Sequence, residues 1–392
     1  MGNLEARKLD DGELDEFVAV FGAAFLEDAE EDQARFRPAV PFVTALGAFD
    51  GPEMIGSAGH YSTAITLPGG RAAPLGGVTL VGVKPGHRRR GVLTSLMREQ
   101  LDGLRESGVA LAALYASEGA IYGRYGYGAA TFENHLTLPS GARFRPDVEV
   151  DERPVREVDR DSAMPVIHEQ HARIAASRIG WIERGDGAWE ALELMRQSRS
   201  GGVPSRYALH PEGHVIYRPT RKWTERGPDY RLEITHLMAE TPQAYAALWR
   251  YLMEFALVRE VRWNKAALDE PIVRMLADPR AAEQSIVDGL WLRLVDVPAA
   301  LAARETGSDV VVEVTDSFCE WNNGRRRLDG GSTTAPAQLA LDVADLAAAY
   351  LGGCTLHQLA AAGRVRELEP GALSTASRAL ATDHAPSCPD AF

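Results

Sequence analysis

Residues 78–94 read VTLVGVKPGHRRRGVLT, and the order of residue types within them decides the fold class. The apolar, β-branched run from Val78 to Val83 predicts a strand, and Lys84-Pro85-Gly86 ends it. Leu93, Leu96, Met97, Leu101 and Leu104 then fall mostly three and four apart, which puts them on one face of a helix over residues 91–107. Residues 109–115 are apolar and bounded by Gly108, so a buried strand is expected to follow. The unit is strand, basic loop, helix, strand. Its loop brings backbone N–H groups, a helix N-terminus and the guanidinium groups of Arg88 to Arg90 to one point, which suits a pyrophosphate. Gly91 removes a side chain where the anion would approach most closely. An Arg triplet alone is usually a solvated charge run; the flanking strand and helix give this one its other meaning. Arg325, Arg326 and Arg327 follow Asn323-Gly324, open no helix, and read as an exposed strand face. Neither GxGxxG nor a GK[ST] sequence is present, which argues against the Rossmann and P-loop classes.

The plan recurs once, without the chemistry. Residues 231–239 suggest a strand, Thr241 a helix cap with Pro242 in the first turn, and Tyr245, Leu248, Trp249, Leu252 and Phe255 a helical stripe. No basic, glycine-bearing loop separates the two. Upstream, residues 42–48 and 56–67 read as strands; downstream, 310–314 and a strand after Asn323-Gly324 read as a hairpin, then 341–350 and 355–362 as helices. Residues 136–154 hold three prolines and no sustained apolar pattern, as an edge segment entering a linker would. Residues 277–289 precede the alternating run LWLRL at 290–294. These breaks divide the chain into 1–140, 141–287 and 288–392.

With 392 residues, 45% hydrophobic and 25% charged, the chain has the composition of a globular protein of two or three domains, not of disorder. Lys and Arg total 42 against 55 Asp and Glu, and the net charge of -13 argues against nucleic acid or anionic lipid as a partner. A cationic small molecule matches better. No apolar stretch reaches membrane-helix length and residues 1–18 are too acidic for a signal peptide, so a cytoplasmic location is expected. Cys319, Cys354 and Cys388 fit neither a disulfide framework nor a zinc motif and read as reduced thiols. His168 and His171 are three apart where a zinc-binding helix needs four, so no metal site is expected.

Residues 81–92, VGVKPGHRRRGV, are similar to the acetyl-CoA motif of the GNAT N-acetyltransferases, whose core is Arg or Gln, two residues, then Gly. Together with residues 116–128, ASEGAIYGRYGYG, they resemble the enhanced-intracellular-survival (Eis) branch of that superfamily. Residues 288–301 are similar to the entry into that family's C-terminal domain, so the likeness runs the full length. It implies an α/β (α+β) chain with an N-terminal GNAT domain, a degenerate central GNAT domain and a sterol-carrier-protein-like domain, assembled as a homo-hexamer. It also implies acetyl-CoA as cosubstrate and direct transfer to an amine in a ternary complex, with aminoglycosides as hallmark acceptors. Lysine side chains or polyamines are the alternative acceptors, and a lipid-binding role for the last domain is an alternative of another kind.

The resemblance also assigns residues. Val81 and Val83 match strand positions that bind the pantetheine arm, Arg88, Arg89, Gly91 and Val92 the pyrophosphate loop, and Ser117 a further CoA contact. Leu93 stands where many GNATs have a small residue. Acetyl transfer needs a neutral amine, stabilisation of the developing oxyanion, and a proton for the leaving thiolate. The strand amides near Val81 suit the oxyanion, and Tyr122 matches the proton donor; by residue type alone, Tyr125 and Tyr127 are equally available. The amine's proton is assigned to the C-terminal carboxylate, here Phe392, with Ala391 where relatives can carry a carboxylate. Glu27 and Phe36 lie in the region that lines the family's acidic acceptor cleft.

Overall fold

The structure is a computed structural model that describes residues 4–26, 40–184 and 203–390. Its first sheet is built from β1 (Leu4–Lys8), β2 (Val43–Asp50), β3 (Glu53–Thr66), β4 (Ala72–Val83), β5 (Leu111–Tyr115) and β6 (Tyr127–Ala129), with α1 (Leu14–Phe25) after β1 and α2 (Val92–Glu106) between β4 and β5. β1 to β4 are antiparallel neighbours in order, and β5 runs parallel to β4 because α2 carries the chain back across the sheet. The predicted stripe does the packing: Leu96, Met97, Leu101 and Leu104 are all nearly inaccessible against the sheet. Gln100 joins them and donates from Nε2 to the Gly59 carbonyl at 3.0 Å, which satisfies one polar group in an apolar layer.

Two passages between units differ from the composition breaks. The chain leaves the first sheet after Ala129, and Phe132–Pro139 already lies inside the second sheet, between Glu283–Asp288 and Val258–Ala266. The crossing is therefore at 130–131, not near 140; Leu136 and Leu138 are fully buried there, an alternation masked in the sequence by the prolines that follow. The run expected to open the third unit, Leu290–Leu294, is a strand of the first sheet, antiparallel to both β5 and β6. Its residues Leu290, Leu292, Arg293 and Leu294 have no accessible surface. A strand buried on both faces needs an interior position, and the gap between β5 and β6 supplies one.

The second sheet, also of seven strands, repeats the strand, helix, parallel strand plan of the first. Tyr230–Ala239 is parallel to Val258–Ala266 through the helix Pro242–Met253, whose cap is Thr241 accepting from the Ala244 N–H at 3.3 Å. The third unit has four strands, in the order Gly324–Arg327, Val311–Thr315, Leu339–Asp342, Val365–Glu367. The Arg triplet thus sits on an edge strand, where Arg325 is exposed as expected but Arg326 and Arg327 are half-buried. Residues 341 and 342 end a strand, and the helix begins at Val343 with Asp342 as its cap. One apolar core runs from β4 and β5 through Leu290–Leu294 into this third unit. Gly128 permits that approach: a Cβ there would lie 2.0 Å from the Ala344 carbonyl oxygen of the helix Val343–Tyr350.

Candidate functional site

β4 and β5 separate where the quoted stretch begins. Their ladder covers only Leu75 to Gly77, because beyond it β5 stays with Leu290–Leu294 on its other edge. β4 also carries a bulge: the pairs Ser57↔Gly82 and Gly59↔Thr79 leave Ala58 opposite both Leu80 and Val81. Leu80 takes a φ of 52°, and the Ser57 hydroxyl donates to its carbonyl at 3.0 Å. The result is a V between the strands. Among the described residues, no strand pairs with Val78–Val83 on the β5 side. Sequence reading missed the bulge; the only hint was the glycines inside a strand pattern, Gly76, Gly77 and Gly82.

The V widens into a cleft of about 790 Å³, within the range of small-molecule sites. Every described residue singled out for the cofactor lines it: Val81 and Val83 on the strand, Arg88, Arg89, Gly91 and Val92 on the loop and helix start, and Ser117 after β5. Tyr122 lines it too. Gly91 has a φ of 87° and caps α2 without a side chain; the first intrahelical bond is Ser95 N–H to the Gly91 carbonyl at 2.9 Å. The N–H groups of Val92, Leu93 and Thr94 therefore lie at the open end of the helix, facing the cleft. A Cβ at Gly91 would meet no protein atom within 4 Å. The glycine is demanded by its backbone conformation, and the space it leaves belongs to the cleft.

The Arg triplet divides in function. Arg90 bonds Asp50 at 2.7 Å, and Lys84 bonds Glu53 at 2.9 Å, so the nearby acids are taken by cations outside the cleft wall. Arg88 reaches only the Ala24 carbonyl, at 3.3 Å, and Arg89 has no acid partner among the described residues. Positive charge is thereby left for the cleft. Guanidinium groups, open amides and a free strand edge together fit an anionic carrier with an extended amide-bearing arm.

The three tyrosines that residue type could not separate have different surroundings. Tyr127 is fully buried, edge-on to Tyr122 at 5.9 Å, and does not line the cleft. Tyr125 lines it, but its hydroxyl meets the Thr94 hydroxyl at 3.3 Å and its ring packs edge-on to Phe318 at 5.0 Å. Tyr122 is the remaining phenol. Burial, then Tyr125 and Glu118, pushes its pKa up to about 12. It is neutral and able to donate a proton through the physiological range.

Phe318 comes from the third unit, and no sequence signal linked it to this site. Its carbonyl accepts from Arg98 of α2, whose guanidinium lies 4.0 Å above its ring. Glu118, also unforeseen, lines the cleft at the start of the turn that carries Tyr122. Glu27, Phe36, Ala391 and Phe392 lie outside the described residues; Phe25 and Leu26, just before the first of them, line the cleft rim. Among the described residues no group of three His, Cys, Asp or Glu is placed to hold a metal ion, and no helix is long and apolar enough to cross a membrane.

Family models described as acetyltransferase (GNAT) domains match residues 5–130 and 180–294, and one described as a sterol carrier protein domain matches 297–389. An uncharacterized N-acetyltransferase of Streptomyces avermitilis is 38% identical over 395 residues, covering 96% of each chain. The N-acetyltransferase Eis of Mycobacterium tuberculosis is 33% identical over 375 residues, 90% of each chain. The crystal structure of Eis1 from Mycobacterium abscessus superposes with a TM-score of 0.87 at 32% identity, over the whole of both chains.

Proposed function

Since the chain belongs to the Eis family of GNAT N-acetyltransferases, we propose that it moves acetyl from acetyl-CoA to amines of a cationic acceptor, aminoglycosides foremost, by direct transfer in a ternary complex. The observation that carries this reading is the meeting of Arg88, Arg89, the open amides of α2 and the buried phenol of Tyr122 in one cleft. Bound acetyl-CoA would supply a thioester carbonyl activated toward an amine. Arg88, Arg89 and the amides from Val92 to Thr94 hold the pyrophosphate. The free edge at Val81 and Val83 holds the pantetheine arm and offers an N–H to the developing oxyanion. Ser117 adds a CoA contact. Tyr122 protonates the departing thiolate.

Glu27 and Phe36 are assigned to the acceptor side and the terminal carboxylate at Phe392 to the base that takes the amine's proton. Supporting these assignments, residues 24–26 reach the cleft rim, and the tail is buried as far as Asp390 beside Tyr115, the last residue of β5. A homo-hexamer in the cytosol is carried over from the family resemblance.

A panel of aminoglycosides, lysyl peptides and polyamines assayed by CoA release tests the substrate class. Turnover on aminoglycosides is expected; steady turnover on lysyl peptides with none on any aminoglycoside would replace it. The lipid-binding alternative gains nothing from the third unit. Inside it the buried Arg304 guanidinium donates to the carbonyls of Tyr350, Ala379 and Leu380, and the Tyr350 hydroxyl to that of Ala300 at 2.6 Å, a polar knot poorly suited to an acyl chain.

Gly91→Ala separates the loop from the chemistry. An L-residue at this φ costs about 1–2 kcal/mol, and relaxing the turn would misalign the amides of α2. We expect KM for acetyl-CoA to rise at least about tenfold, in line with losing one or two hydrogen bonds to a charged group, with kcat changed much less. Steady-state kinetics with acetyl-CoA varied will check it.

A further inference from the structure

The central unit has the same architecture as the catalytic one at the same end of its parallel strands, where α/β sheets bind ligands. Leu237 to Ala239 end one strand, Tyr245 lies in the first turn of the following helix, and Trp263, Lys265 and Ala267 end or follow the next strand. In the catalytic unit the corresponding end is the open cleft. In the central unit these residues line a cavity of only about 40 Å³, and Ser387 and Pro389 of the chain's own tail line it with them.

That tail is bonded at nearly every step. The Ala385 N–H donates to Asp269 at 3.1 Å and the Ser387 N–H to the Ile179 carbonyl at 3.0 Å. Trp181 Nε1 donates to the Ser387 hydroxyl at 3.3 Å, and the Tyr115 hydroxyl to the Cys388 carbonyl at 3.0 Å. Lys265 Nζ, over the Tyr115 ring at 4.1 Å, reaches the Asp390 carbonyl at 3.4 Å. The Asp390 carboxylate pairs with Arg184, both side chains at most 4% exposed. A frayed terminus has none of these features.

We propose that the central unit, which has no basic loop, is the receptor for the chain's own tail: its ligand-binding end grips residues 385–390, and the Arg184–Asp390 ion pair locks them beside β5. Proline at 386 and 389 stiffens the segment, so little backbone freedom is given up on docking. The lock is buried, with both side chains at most 4% exposed, so the pair is shielded from water and salt. Arg184 and Asp390 are positioning residues; that what they position is the proton-accepting carboxylate rests on the reading above.

Hydrogen exchange of the full-length protein, read alongside kinetics, tests the lock. In Asp390→Asn and Arg184→Gln the amides of Ala385, Ser387 and Cys388 are expected to exchange at least about tenfold faster, with α2 and β5 unchanged. The double swap Arg184→Asp/Asp390→Arg should recover most of the protection. Should the buried variants fail to fold, Lys265→Met, at the accessible rim, is expected to raise tail exchange by a smaller factor. Unchanged tail protection in these variants, or an equal rise throughout the central unit, overturns the proposal. Faster tail exchange with a large fall in kcat supports both the lock and the terminal base; faster exchange with kcat unchanged supports the lock and removes the terminal carboxylate from the mechanism.

Discussion

Tyr122→Phe is expected to lower kcat by about 10²–10⁴-fold, the range for losing a general acid, while KM for acetyl-CoA moves less than about threefold. The substitution isolates the proton. Phe keeps the ring that meets Tyr127 edge-on at 5.9 Å, and the cleft keeps its shape. Tyr125→Phe is the control: it removes a hydroxyl already engaged with Thr94 at 3.3 Å, so its effect on kcat should be small. The pH profile follows from the same burial. A raised phenol pKa favours the protonated donor at every pH below it, so kcat should rise as the acceptor amine loses its proton. With the phenol pushed up to about 12, no alkaline fall from Tyr122 is expected below roughly pH 11. A fall near pH 10, the ordinary tyrosine range, or an active Tyr122→Phe enzyme, would reject the role.

Asp316→Ala should be the most destabilising single change at the seam between the first and third units, costing about 3–5 kcal/mol. Arg293 lies on the strand shared by β5 and β6, has no accessible surface, and pairs with Asp316 at 2.5 Å. Asp316 also accepts from the N–H groups of Phe318 at 3.1 Å and Cys319 at 2.8 Å and from Asn322 Nδ2 at 2.9 Å. Removing it strands a buried guanidinium and releases the turn that places Phe318 against Tyr125 and Arg98. A lower melting temperature should therefore come with weaker acetyl-CoA binding, although Asp316 does not line the cleft. Arg293→Met/Asp316→Leu, which removes both charges, should recover much of the stability. Thermal unfolding and acetyl-CoA titration measure the two effects, and an Asp316→Ala protein as stable as the parent would refute the first.

Residue order alone identified the strand, loop and helix of residues 78–107, because each carries its own periodicity or breaker and folds by local rules. For the same reason the grouping of the cleft-lining residues from Val81 to Val92 was legible in the sequence, as was the second unit without a basic loop. By residue type alone, with only the family resemblance singling out Tyr122, the choice among Tyr122, Tyr125 and Tyr127 was not legible. It depends on which phenol is buried toward the cleft, which is engaged with Thr94 and which is sealed in the core, and these are relations between elements far apart in sequence. The placement of Leu290–Leu294 was hidden likewise: its alternation predicts a strand, but the gap that receives it is created by β5 and β6. Sequence by itself determined the local elements and the chemistry they can carry. Tertiary structure alone decided the splay of β4 from β5, the packing of Phe318 behind Tyr125 and the seat of the tail, because each depends on long-range pairing and on which polar groups burial leaves to find partners.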